Sequence, residues 1–121
     1  MRIINEQLTT AMIVDATELS SKAGLKLSDV VDVCLVVKKL STDADVDAKA
    51  FLTFGNGVIL SDDPKPKYLF TFSQSDFGEG KMVAGEQYLF KIGLKNSTDT
   101  VYREISPRDN RLYVDQDFIR G

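Results

Sequence analysis

Hydrophobic residues alternate with polar ones over several short stretches, and this period of two is typical of β-strands. The strongest example, VVDVCLVVK at 30–38, is apolar along one whole face and only in the middle of the other. The continuous apolar face consists of Val31, Val33, Leu35 and Val37. This pattern predicts a central strand with one face in a core and the other face partly covered.

Further stretches with the same period predict the remaining strands. They lie at 10–14, 56–60, 67–73, 86–95, 99–105 and 111–114. The polar cluster from Asn96 to Asp99 separates two of them, which predicts a hairpin between 86–95 and 99–105. About seven short strands with turn signals between them predict an antiparallel β-sandwich, and a small barrel is the alternative.

Three aspartates alternate in the stretch STDADVDAKAFLTFG at 41–55, which is the opening rhythm of a calcium-binding loop. An EF-hand loop also needs glycine at its sixth position and a bidentate glutamate at its twelfth. Counted from Asp43, those positions hold Ala48 and Phe54. The sequence therefore predicts no calcium site here.

The same stretch has the features of a helix start. Its first three residues are favoured at helix N-caps, and they are Ser41, Thr42 and Asp43. The two following aspartates would meet the positive end of the helix dipole. An apolar stripe at helical spacing then follows, made of Ala44, Ala48, Phe51 and Leu52. The pattern predicts one short helix at about residues 43–53, inserted between two strands and ended by Gly55 or Gly57.

The residue composition argues against catalysis. The chain has no histidine and one cysteine, Cys34, whose apolar neighbours predict a small buried hydrophobic side chain. Without histidine, Ser-His and Cys-His nucleophile activation and the usual Cys/His zinc sites are excluded. Gly78 and Gly80 lack the Lys-Ser/Thr that completes a phosphate-binding loop. We therefore expect no enzyme and predict no catalytic, cofactor-binding or metal-ligating residue.

Length and charge set the domain count and limit the partners. The 121 residues are expected to form one sandwich domain over 10–121, preceded by an N-terminal arm at 1–9. The net charge of −3 and the scattered basic residues predict no nucleic-acid partner. The sequence has no run of about 18 apolar residues, and its first ten residues lack the core of a secretory signal. We expect folding in a reducing cytoplasm, no membrane partner and no small-molecule substrate.

The order of these motifs resembles that of small immunoglobulin-like β-sandwich domains in tailed bacteriophages and prophages. The matching residues are Val37-Lys38, Asp43-Ala44-Asp45, Gly57-Val58, Ser73–Asp76, Gly85, Tyr88, Phe90, Ile92 and Leu94. The resemblance covers residues 30–118, whereas residues 1–20 and the turn DDPKPK have no counterpart. It implies an immunoglobulin-like sandwich with about seven strands.

The resemblance also implies a function in the virion. We expect a non-enzymatic structural protein, synthesised in the host cytoplasm, that serves assembly or attachment in the tail, baseplate, fibre or head–tail region. Its partners would be other virion proteins and further copies of itself. Apolar residues of the arm and of the C-terminal tail are candidate intersubunit contacts, namely Ile3, Ile4, Leu8, Phe118 and Ile119. The alternative is a carbohydrate- or receptor-binding module, with Tyr102 and Tyr113 as candidate stacking residues.

Overall fold

The computed structural model describes residues 2–4, 10–40, 48–62, 64–105 and 109–115, and most of their regular structure is strand. The strands are β1 (Arg2–Ile4), β2 (Thr10–Asp15), β3 (Asp32–Lys38), β4 (Ala50–Phe54), β5 (Gly57–Ser61), β6 (Lys67–Thr71), β7 (Gln87–Lys95), β8 (Arg103–Ile105) and β9 (Arg111–Val114). The α-helix described among these residues is α1, Ala16–Lys22, and short 3-10 turns lie at Leu27–Asp29 and Gln74–Asp76. The all-β prediction is confirmed.

The strands form one curled sheet with the order β1-β9-β7-β3-β4-β5-β6-β2. The long strand β7 pairs with β3 along one edge, while β9 and β8 share its other edge at opposite ends. The two outermost strands of this order, β1 and β2, lie against each other. The sheet therefore wraps around a single apolar core.

Two strand pairs run parallel, so the predicted purely antiparallel arrangement is wrong. β1 lies parallel to β9, and the end of β4 lies parallel to the start of β5. The other described pairs are antiparallel. Parallel neighbours are not joined by a tight hairpin turn, so the hydrophobic pattern along the chain does not predict which strands pair in this way.

The sheet turns a corner between β4 and β5. Only Thr53 and Phe54 pair with Gly57 and Val58. Before the corner β4 follows β3, and after it β5 follows β6. The corner thus separates a layer of β1, β9, β7, β3, β4 and β8 from a layer of β5, β6 and β2.

The predicted helix at 43–53 is wrong over its second half, because Ala50–Phe54 forms strand β4. Within β4, Ala50 and Leu52 are buried while Phe51 is exposed, which is the period of a strand. Leu52 lies opposite Leu35 on β3, so pairing with a central strand overrides the local helical spacing. The N-cap candidates Ser41, Thr42 and Asp43 lie outside the described residues.

The described helix α1 follows directly on β2. Asp15 caps it, since the backbone N–H of Glu18 donates to Asp15 Oδ1 at 3.0 Å. Ala16 and Leu19 are buried on its inner side. Asp15 and Glu18 have the spacing of a capping box, a sequence signal for this helix start.

The first residues belong to the sheet, which differs from the predicted arm. Arg2–Ile4 forms β1 beside β9, and Ile4 is 4% exposed within the core. The remainder of the arm, residues 1 and 5–9, lies outside the described residues. The predicted hairpin is confirmed by the antiparallel pairing of β7 with β8.

Alternate side chains of the strands point inward and form the core. The largest fully buried ones are Tyr68, Phe70, Phe72, Phe90, Leu35, Met82, Ile92 and Leu94. Burial of apolar surface on this scale is the main favourable term in folding. The inner faces of the described strands are thereby largely filled by their own side chains.

Candidate functional site on the outer faces of the sheet

A groove of about 270 Å³ lies on the outer face of β3 and β7. We call it the outer groove, and it is lined by Cys34, Val36, Phe51, Lys91, Ile92, Gly93, Tyr102 and Glu104. Most of these groups are apolar. Its volume lies just below the range of about 300–1,000 Å³ that is typical of small-molecule sites. The outer groove therefore has room for one or two protein side chains.

The strand alternation and one glycine create the floor of the outer groove. Because Val33 and Val37 point inward, Cys34 and Val36 point to the outer face. Gly93 lies opposite Cys34 in the register and contributes no side chain. A Cβ atom at this glycine would come within 2.7 Å of Tyr102 Cβ and 3.0 Å of Cys34 Sγ.

Tyr102 forms a fixed wall of the outer groove. Its hydroxyl donates to Asp32 Oδ2 at 2.6 Å, and Lys95 Nζ lies 4.5 Å from its ring centroid. The other carboxylate oxygen of Asp32 accepts from the backbone N–H of Val33 at 2.9 Å and of Phe54 at 3.4 Å. Burial and the adjacent Asp32 carboxylate raise the pKa of Tyr102 well above its usual value. The ring position is thus set from several directions.

The rim of the outer groove carries one ion pair. Lys91 Nζ lies 3.5 Å from Glu104 Oε2, with the Lys91 side chain 28% exposed and the Glu104 side chain 59% exposed. Phe51 forms the opposite wall and is 46% exposed. Glu104 is the more exposed partner of this pair, so its carboxylate borders the apolar floor and suits a ligand that is apolar next to a positive charge.

A second outward surface lies on the other layer of the sheet. Ile13 on β2 and Ile59 on β5 both lie opposite Leu69 on β6, so the three side chains cross the layer in a line. Ile13 and Ile59 are each 56% exposed. We call this line the aliphatic row. On a neighbouring line of the same face, Asp15 lies opposite Lys67.

The structure separates the residues predicted to contact other subunits. Ile3 is 63% exposed, whereas Ile4 is buried in the core of its own chain. Leu8, Phe118 and Ile119 lie outside the described residues. Contact of these residues with other subunits stays a prediction. Ile4 already packs in the core of its own domain.

The two candidate stacking tyrosines lie far apart. Tyr113 lies opposite Gln87 at the start of β7, whereas Tyr102 covers Gly93 near its end. Six residues of strand separate these positions, which corresponds to about 20 Å. The two rings therefore cannot stack on one sugar unit, and the ring of Tyr102 is already engaged by Lys95.

Sequence reasoning missed the roles of Asp32 and Gly93. A glycine inside a strand marks a close approach by another group, and that signal was present at Gly93. Within the described ranges, no three Cys, Asp or Glu side chains are grouped so that they could hold a metal ion. None of the helical segments in the described part of the chain has the length and apolar character that crossing a bilayer requires.

No protein-family model, curated protein or solved structure matches this chain.

Proposed function

We propose that this protein is a non-enzymatic assembly module of a tailed bacteriophage particle. The aliphatic row carries the proposal, because two isoleucines more than half exposed stand in line across three strands. Contiguous exposed apolar side chains on a small protein are typical of protein–protein contact surfaces. The resemblance of the motif order to phage sandwich domains supports the choice of particle.

The proposed partners are other virion proteins and further copies of this chain. Tail, baseplate, fibre and head–tail junction are all places where a small module is repeated by symmetry. The finer fold assignment is part of the same proposal, with the curled sheet as a variant of the immunoglobulin-like sandwich. Its two layers over one core support this, and the parallel pairs β1–β9 and β4–β5 are its departures.

The presence of the chain in particles tests the phage assignment. Tailed particles purified from the phage or lysogen that encodes this chain should contain it at a fixed copy number by quantitative mass spectrometry. Particles that lack the chain would remove the virion assignment.

The aliphatic row is tested by a double substitution, Ile13→Lys with Ile59→Lys. Both side chains are largely exposed, so the variant should keep the thermal unfolding midpoint of the wild type within a few degrees. Its incorporation into particles should fall by about tenfold or more, because buried lysines in a contact weaken it strongly. Val101→Lys is the control, since Val101 is 74% exposed and lies outside the row. Normal incorporation of the double variant would contradict the role of the row.

A further inference from the structure

The outer groove is a second apolar surface, distinct from the aliphatic row. It lies on the layer that contains β3 and β7, whereas the row lies on the layer that contains β2 and β6. Its occupant must supply an apolar side chain for the floor and tolerate or complement the exposed Glu104 carboxylate. The chain itself contains a segment with this chemistry.

Residues 116–121 follow directly on Asp115 and read QDFIRG. In an extended segment, alternate side chains point to the same side, so Phe118 and Arg120 would share one side. An aromatic side chain fits an apolar pocket of this volume, and an arginine two residues later would lie close to a rim carboxylate. Asp117, the acidic residue of the segment, would point to the other side and away from Glu104.

The segment cannot reach the outer groove of its own chain. Tyr113 lies opposite Gln87, and Gly85 N donates to Val114 O at 2.7 Å, so β9 runs away from Gly93. From Gln87 to Gly93 is about 20 Å along β7. Phe118 is three residues beyond Asp115, and three extended residues span at most about 11 Å. A Phe118 in the groove must therefore come from another molecule.

We propose that the outer groove binds residues 116–121 of a second copy of this chain, with Phe118 in the groove and Arg120 beside Glu104. This inference rests on the proposed assembly function. It assigns the outer groove as the contact surface and a second copy of the chain as the partner. The contact is heterologous, since a groove on one copy meets a segment of the next. Repetition of such a contact produces a ring if the rotation closes and an open chain if it does not.

Complementation between two defective variants tests the proposal with the full chain. Phe51→Glu removes a wall of the groove at a 46% exposed position and keeps the segment. Phe118→Ser removes the anchor and keeps the groove. Wild-type protein should associate with rising concentration in sedimentation velocity. The association of each single variant should be weaker by at least about 30-fold. An equimolar mixture should form a 1:1 dimer and nothing larger, because one groove and one segment remain intact.

Leu60→Glu is the matched control, because it places the same charge at a 43% exposed position on the other layer, outside both the outer groove and the aliphatic row. It should associate like the wild type. The proposal is overturned if the wild type stays monomeric at every soluble concentration, if either variant associates normally, or if the mixture gives no dimer. Association that is lost in Ile59→Glu, which changes the row itself, would assign the self-contact to the aliphatic row instead.

The two proposals fail separately. A monomeric wild type that is present in purified particles leaves the virion function standing and removes the groove contact. A wild type that assembles and complements as described, but is missing from particles, leaves the groove contact standing and removes the virion function.

Discussion

The hydrogen bond from the Tyr102 hydroxyl to Asp32 Oδ2 holds one wall of the outer groove in place. In Tyr102→Phe, Asp32 loses this donor while the ring remains. We expect the free energy of unfolding at pH 7 to fall by about 1.5–3 kcal/mol, the usual effect of removing a hydrogen bond to a charged group. Urea denaturation measures this change. Tyr113→Phe is the control, since the structure gives no hydrogen bond for that hydroxyl among the described residues, and an equal loss there would contradict the assignment.

The same bond makes the stability of the protein depend on alkaline pH. Burial and Asp32 raise the pKa of Tyr102, so the folded state holds this proton more firmly than the unfolded state does. The resulting stability is complete below the unfolded tyrosine pKa of about 10 and is lost as the pH rises above it.

The difference in unfolding free energy between wild type and Tyr102→Phe should therefore shrink between pH 9 and pH 10.5. Tyr68, whose pKa is raised by burial, is present in both proteins and cancels in the comparison. A difference that stays constant over this range would show that the Tyr102 proton does not contribute.

At the scale of secondary-structure elements, two glycines make the corner between β4 and β5. Both have positive φ, 79° at Gly55 and 98° at Gly57. A Cβ atom at Gly55 would have no atom within 4 Å among the described residues beyond its two chain neighbours, whereas one at Gly57 would lie 2.8 Å from the backbone oxygen of Thr71. The second glycine is thus needed for both its conformation and its close contact.

Alanine at these two positions should separate the two effects. Gly55→Ala meets only the conformational penalty of about 1–2 kcal/mol. Gly57→Ala must in addition displace a β6 carbonyl, which adds about 1–3 kcal/mol. Chemical denaturation of both variants measures the difference, and equal losses would mean that the corner relaxes without cost around the new methyl group.

The elements that follow the strand period could be predicted from sequence, and those fixed by distant partners could not. β3 and β7 alternate over many residues and were predicted within a few positions. In and just before β4, Ala48, Phe51 and Leu52 also fit a helical stripe, and only the pairing of Leu52 with Leu35 decides for strand. β1 has three residues and pairs with a strand more than 100 residues away, so no local pattern identifies it.

The candidate site was partly visible in the sequence. The half-covered outer face of β3 was predicted from Cys34 and Val36, and both line the outer groove. The side chain that covers this face could not be predicted, because Tyr102 reaches it only by lying over Gly93 and donating a hydrogen bond to Asp32. That contact joins positions 70 residues apart and leaves no spacing in the sequence.

At the scale of the whole molecule, the outer groove and the aliphatic row lie on the two layers that enclose the core. A module built in this way can contact one neighbour with each layer. The groove is narrow and carries a charge at its rim, which favours a specific segment. The row consists of uncharged aliphatic side chains, which favours an apolar partner surface.

The proposed pairing of Arg120 with Glu104 predicts the result of exchanging their charges. Glu104→Arg places a third positive group beside Lys91 and the incoming Arg120, and Arg120→Glu brings a carboxylate to Glu104. Each single variant should therefore associate about two- to fivefold more weakly, the scale of a rim ion pair. The double variant restores opposite charges across the contact and should regain wild-type association in sedimentation velocity at low salt. Because rim pairs are screened, the differences among the four proteins should narrow at high ionic strength. Single variants that weaken association without recovery in the double variant would place these two residues in separate contacts.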